Sequence, residues 1–160
     1  MIFRLHRSSG LTLIELTLVT LLLLVIVGLS VPIFKKTFQN LSAKDTSYNI
    51  SKLINYAQEM AVLERKNFKI IFDFSKGKYQ LFELITQAKE PLYTKAQSRF
   101  GKMLGIPQGL TLRGDRKEMI FYPDGHCDDM KIYVMSKRSG FSIIVKRFGN
   151  KVEIKEVNIE

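Results

Sequence analysis

Apolar residues along this chain follow three successive patterns, each predicting a different element. From Leu16 to Phe34 no charged residue occurs, and most positions are Leu, Val or Ile. About 20 such residues at 1.5 Å rise span roughly 30 Å, enough for a helix to cross a bilayer. A helix in a soluble core keeps one polar face, whereas Leu21-Leu22-Leu23-Leu24-Val25-Ile26-Val27 is apolar all round. This predicts a transmembrane or assembly helix over residues 11–34. The second pattern is amphipathic. Phe34, Phe38 and Leu41, then Leu53, Ile54, Ala57, Met60 and Ala61, recur at three- and four-residue steps. The helix is expected to extend over residues 35–66, ending at about Glu64.

After Asn67 the pattern changes to strands, and residues 67–160 read as one globular β-rich domain. Phe68–Phe74 and Tyr79–Leu84, joined by Ser75-Lys76-Gly77-Lys78, predict a hairpin. Thr86–Leu104 reads as a polar connection. Further strands are expected at Gly109–Arg113, Met119–Tyr122, Lys131–Met135, Phe141–Val145 and Val152–Val157. Turns fall at Pro123-Asp124-Gly125, Ser139-Gly140 and Gly149-Asn150. Alternation of Phe141, Ile143 and Val145 with Val152 and Ile154 predicts a half-buried antiparallel sheet. The fold class is α+β: a long N-terminal helix packed on a C-terminal antiparallel β-sheet domain.

Glu15 disturbs the first pattern. An acid near the middle of an inserted helix costs roughly 2.5–3.5 kcal/mol, which the aliphatic run can offset at about 0.3–0.6 per residue. An ionisable group in such a segment needs a partner. No Lys or Arg lies in the following apolar turns, so the partner must come from another subunit or from a charge made by processing.

Arg7-Ser8-Ser9-Gly10-Leu11-Thr12-Leu13-Ile14-Glu15 followed by the apolar run resembles the start of type IV prepilins and type II secretion pseudopilins. The resemblance implies a basic leader over residues 1–10, cleaved by prepilin peptidase between Gly10 and Leu11. It implies N-methylation at Leu11, where the family usually has Phe or Met. It also implies that Glu15 neutralises the new amine of a neighbouring subunit during assembly, a strong pair in a low-dielectric bundle. Pro32 falls where many pilins carry a helix-bending proline, and its missing N–H gives a reason for a kink.

The order of the later segments resembles the GspH/FimT group of minor pseudopilins and minor pilins. Tyr56-Ala57-Gln58-Glu59-Met60-Ala61 precedes the first hairpin. Ile106-Pro107-Gln108-Gly109-Leu110-Thr111-Leu112, Ile120-Phe121-Tyr122-Pro123-Asp124-Gly125 and a terminal hairpin follow. The group implies a pilin-like β-sandwich of two antiparallel sheets. The acidic calcium-binding loop of major pseudopilins has no counterpart between Lys146 and Glu160. The implied role is a minor pseudopilin at or near the pseudopilus tip, held in the bacterial inner membrane with its N-terminus cytoplasmic and its C-terminal domain periplasmic. Implied partners are prepilin peptidase, other major and minor pseudopilins, the inner-membrane assembly platform, membrane lipid and secreted proteins. A conventional secretory signal, with Arg4 and Arg7 as its basic region and cleavage near Val31, is the competing reading of the N-terminus.

Composition adds two questions. Net charge is +10 and the pI about 9.7. Arg4 and Arg7 lie in the leader, and Lys35 and Lys36 flank the other end of the apolar run, so the positive-inside rule alone is nearly balanced. Lys95, Arg99 and Lys102, then Arg113, Arg116 and Lys117, then Lys137, Arg138, Lys146 and Arg147 could line a basic face. That surface supports the alternative reading, a minor type IV pilin of a DNA-uptake system, because a basic face binds phosphates. The second question is Asp124-Gly125-His126-Cys127-Asp128-Asp129, which holds metal-ligand chemistry but not a zinc spacing. A solvated β-turn is expected there, with no metal and no cofactor. Cys127 is the one cysteine, so no intramolecular disulfide forms. His6 falls in the leader, and adjacency is the wrong geometry for a Cys-His nucleophilic pair. No catalytic residue and no enzyme activity are expected.

Overall fold

The computed structural model describes residues 12–85, 92–137, 139–147 and 152–158, with side chains except at 29–37 and 39. Helix α1 (Leu13–Glu64) comes first. It is followed by β1 (Phe68–Asp73), β2 (Lys78–Ile85), β3 (Leu92–Lys95), β4 (Leu104–Gly105), β5 (Thr111–Gly114), β6 (Glu118–Phe121), β7 (Met130–Met135), β8 (Ser139–Val145) and β9 (Glu153–Asn158). The chain divides into two compact units, Met1–Thr37 and Phe38–Glu160, and α1 contributes to both.

Thr12 starts α1 as an N-cap. Its hydroxyl accepts from the Glu15 N–H at 3.3 Å, and its carbonyl accepts from the Leu16 N–H at 3.1 Å. At the other end Arg65 adopts φ 52°, and the Lys66 N–H returns to the Ala61 carbonyl at 3.3 Å. That left-handed closing turn stops the helix at Glu64, at a non-glycine position.

In the Phe38–Glu160 unit the amphipathic half of α1 buries Ile50, Leu53, Ile54, Ala57 and Ala61 completely. They share one core with two antiparallel sheets. The first has strand order β3-β2-β1-β6, with β4 also pairing β2; the second has order β5-β7-β8-β9. Phe68, Ile70 and Phe72 on β1, with Leu81, Met119 and Phe121, form the inner face of the first sheet. Leu112, Ile132, Val134, Ile143 and Val145 supply that of the second. The chain passes from the first sheet to the second at β5, returns at β6 and leaves again at β7.

The structure differs from the sequence reading in two places. The described part of the connection expected over 86–104 holds two strands and a 3-10 turn, Arg99–Gly101. Buried Gln80 donates to the Gly101 carbonyl at 2.6 Å, and the Phe100 ring lies 4.9 Å from Tyr56. A Cβ on Gly101 would fall 1.8 Å from the Ala96 carbonyl oxygen, so only glycine permits this turn. Second, β8 is not half-buried: every residue except Ile144 is buried. It is an inner strand, and its outward positions include the small Gly140 and Ser142, with Met135 leaning over Gly140. Among the described residues no helix is long and apolar enough to cross a membrane. The crossing expected over 11–34 includes Leu11 and the side chains of 29–34, outside the described residues. What remains, residues 12–28, falls short of a full span.

Candidate assembly site

The N-terminal part of α1 has an apolar surface in every direction. Leu13, Leu16, Leu21, Leu24 and Val27 are all more than half exposed, Leu13 by 83%. Two of its threonine hydroxyls bond back to their own helix. Thr17 Oγ1 donates to the Ile14 carbonyl at 2.8 Å, and Thr20 Oγ1 to the Leu16 carbonyl at 2.7 Å. Each hydroxyl is thereby satisfied within its own helix. Gly28 has open space around its Cα, so a neighbouring backbone can approach there.

Glu15 is the exposed acid in the first turn of this segment. Thr12 and Glu15 occupy the N-cap and third helical positions of a Thr-x-x-Glu capping box. A carboxylate there also faces the positive end of the helix dipole, worth about 0.3–1 kcal/mol. The three-residue spacing of Thr12 and Glu15 in the sequence is itself the signal of this cap. Gly10 and Leu11 lie outside the described residues, as does the Pro32 side chain, so the cleavage, methylation and kink expectations have no geometry here.

The loop with metal-ligand chemistry is a braced turn. The Gly125 N–H donates to the Tyr122 carbonyl at 3.0 Å, with Gly125 at φ 88°. The His126 ring stacks 4.2 Å from Tyr122 and pairs with Asp124. Asp128 Oδ2 accepts from the Ile120 N–H at 3.2 Å, and Asp129 accepts from the Arg147 N–H. Each carboxylate accepts from a different backbone N–H, that of Ile120 in β6 or of Arg147 beyond β8. Among the described residues no group of three or more His, Cys, Asp or Glu could hold a metal ion. The solvated-turn expectation needs one correction, at Cys127. Its side chain is fully buried, and burial, then Asp128 and Asp129, pushes the thiol up to about 11. The turn is tied to α1 where Gln58 Nε2 donates to the Gly125 carbonyl at 2.6 Å.

Two basic residues, Arg113 and Lys155, stand on one face of the second sheet. Arg113 pairs with Tyr133, Tyr133 with Ser142, and Ser142 with Lys155. Directly paired residues share a face, so these four form one row across β5, β7, β8 and β9. Arg113 and Lys155 are exposed at its ends, and Tyr133 is half-buried between them. Lys95, Arg99 and Lys102, from the first sheet and its connection, are exposed away from this row; Arg138 lies outside the described residues.

Known proteins resemble this arrangement in shape, not in sequence. No protein-family model matches the chain, and no curated protein matches it in sequence. The minor pseudopilin EpsH from the Type 2 Secretion System of Vibrio cholerae is similar, with TM-score 0.59 at 13% identity. The match covers 73% of this chain and 97% of that one. The type IV minor pilin FimU of Pseudomonas aeruginosa gives TM-score 0.54 at 12% identity, over 73% of this chain and 90% of that one. The fold is that of a minor pseudopilin or minor type IV pilin. This pilin-like fold agrees with the superfamily that the N-terminal motif and the segment order resemble. At such low identity the agreement reaches architecture alone: one helix, two antiparallel sheets and a shared core.

Proposed function

We propose that this chain is a minor pseudopilin, a structural subunit that enters a short periplasmic pseudopilus at or near its tip and helps move folded proteins outward. The observation that carries the reading is the combination of a minor-pilin fold with an all-round apolar helical segment that opens on Glu15. In this reading residues 1–10 are a leader removed by prepilin peptidase, residues 11–34 anchor the subunit in inner-membrane lipid before assembly, and 35–66 carry the helix into the periplasmic domain over 67–160. Leu11 supplies the new amine and receives the methyl group, and Glu15 pairs with the amine of a neighbouring pseudopilin. Pro32 bends the helix. The assembly platform, other major and minor pseudopilins and secreted proteins are its partners. No catalytic step is assigned to it.

N-terminal sequencing and intact mass of the protein from cells test the first stage. A chain starting at methylated Leu11 is expected; one starting near Val31, or intact from Met1, overturns the reading. Glu15→Gln separates pairing from capping, because glutamine also serves at the third position of a capping box. Loss of incorporation with an unaltered helix is expected. Normal incorporation overturns the pairing role.

The row Arg113–Tyr133–Ser142–Lys155 favours one second reading, a minor type IV pilin for DNA uptake. Cations flanking an aromatic ring suit a phosphate backbone and a stacked base. Binding of the protein to single- and double-stranded DNA across a salt series tests it. A steep salt dependence, reduced in Arg113→Ala, supports DNA uptake; salt-insensitive or absent binding removes it.

A further inference from the structure

Where α1 enters the globular unit, polar residues gather at the junction of the helix with the first sheet. Ser42, Asp45, Thr46 and Asn49 are spaced by three and four residues, so their side chains share one side of the helix. Together with Tyr79 of β2, Gly105 of β4 and Pro107 they line a cavity of about 200 Å³. All of these residues belong to the Phe38–Glu160 unit.

Tyr79 is the unusual member of this lining. It is only 6% exposed, and its ring lies 6.1 Å from that of Phe72 in the core. Its hydroxyl makes no hydrogen bond among the described residues. The hydroxyl is also not sealed from solvent, since no fully buried side-chain oxygen lacks a partner there. A phenol set this deep keeps its polar tip satisfied only through what enters the cavity. Burial pushes the phenol above its ordinary value, so it is an O–H and not a phenolate.

The helix side of the cavity offers acceptors. Thr46 Oγ1 donates to the Ser42 carbonyl at 2.7 Å, which leaves its lone pairs for the cavity. Asp45 makes no ion pair among the described residues. No Lys or Arg lines the cavity among the described residues, and Lys78, whose stem lies beside Gly105, makes no ion pair either. The one charge in the lining is therefore the carboxylate of Asp45.

This donor set selects among ligands. An anion would face that carboxylate with no cation to offset it. A calcium ion takes about six to eight oxygens, several of them carboxylates, and a single carboxylate is a poor cage. A sugar stacks on an open aromatic face, whereas the ring of Tyr79 is packed in the core. A primary ammonium brings one positive charge and three donors, with nothing that needs a donor in return. Its alkyl stem can lie along the apolar ring of Pro107. We propose that this cavity binds an alkylammonium group, with Asp45 as its counter-ion and the oxygens of Tyr79, Thr46 and Asn49 as its hydrogen-bond acceptors. Free diamines and the lysine side chain share this chemistry. The site lies in the globular unit and stands whether or not the chain enters a filament.

Titration of the full-length protein in detergent micelles with n-butylamine at neutral pH, followed by amide NMR shifts, tests the site. Saturable shifts are expected, confined to residues 42–49, 78–80 and 104–107. n-Butanol, with the same stem and no charge, should bind about tenfold more weakly, and Asp45→Asn should weaken butylamine binding about tenfold. Tyr79→Phe keeps the ring in the core and removes the hydroxyl, and a loss of about fivefold is expected. Asp45 is exposed, so its variant reads the charge without risk to the core. Absence of saturable shifts, equal binding of butanol and butylamine, or unchanged affinity in Asp45→Asn overturns the proposal. Calcium chloride producing the same shifts below the butylamine concentration overturns it in favour of a metal. Tighter binding of 1,5-diaminopentane than of an Nα-acetyl-lysine amide supports a diffusible diamine as the source. The reverse order supports a lysine side chain presented by another molecule.

Discussion

The two ends of α1 present their apolar residues in opposite ways. In residues 13–27 Leu, Ile and Val occur on every side and remain exposed, whereas in 43–61 Ala43, Ile50, Leu53, Ile54, Ala57 and Ala61 form one stripe that is wholly buried. The first region is almost wholly aliphatic, while the second sets a stripe of apolar residues among Lys44, Asp45, Lys52 and Glu59. A helix apolar all round has no preferred face to give its own domain, and so remains available to others. A helix with one apolar stripe spends that stripe on its own sheets. The small polar residues of the second half follow the same division: Thr46 and Ser47 hydroxyls bond back to the carbonyls of Ser42 and Ala43 and fit under the core without orphaned groups.

Truncation should break the comparison most sharply. Leu53→Ala in the buried stripe should cost about 2–5 kcal/mol in denaturant unfolding of the globular unit. Leu22→Ala, an equal loss of side chain, should change that unfolding by less than about 0.5 kcal/mol. Equal effects would mean that the apolar segment also stabilises the domain. Gly101→Ala should cost about 1–3 kcal/mol, because its new Cβ meets fixed backbone and not a movable side chain. Gln58→Leu leaves the Gly125 carbonyl without its donor from α1, and a loss of about 1–2 kcal/mol is expected. An unchanged midpoint would show that the turn holds without its tie to the helix.

The smallest effect is that of pH. The Cys127 thiol is raised from an ordinary value of 9.0 to about 11 in the folded state. Its contribution is complete below pH 9, where the thiol is neutral folded or unfolded, and is lost as pH rises toward 11 because the unfolded chain ionises first. Urea midpoints should therefore fall between pH 9 and 11, and less so in Cys127→Ala. The native thiol should also resist alkylation at neutral pH until the domain opens.

Much of this architecture was legible because local signals agreed with tertiary ones. The helix end near Glu64 and the first hairpin were marked by three- and four-residue steps and by Ser75-Lys76-Gly77. Strands β3 and β4 were not, because Leu92-Tyr93-Thr94-Lys95 is too short and mixed to show alternation and is placed by its partner β2. Strand β8 was misjudged for a related reason: glycine and serine read as polar and exposed, yet on an inner strand they are what larger neighbours cover. At the candidate assembly site Glu15 stood out as a charge in an apolar run. The row joining Arg113 to Tyr133 and Lys155 could not be read from the sequence, since only strand register brings together residues that far apart.

The alternation of the chain between its two sheets bears on how fast the domain forms. Strand β6 must return to pair with β1, bringing Phe121 opposite Phe68, while β5 has already gone to the other sheet. Neither sheet can be completed from one continuous stretch. The folding nucleus therefore requires distant parts of the chain to meet, and pairing of this kind places folding toward milliseconds to seconds, slower than that of helical proteins. A chain threaded across a membrane from one end would hold β1 and β2 with a free edge until β6 emerged, a waiting interval in which a chaperone would have work to do.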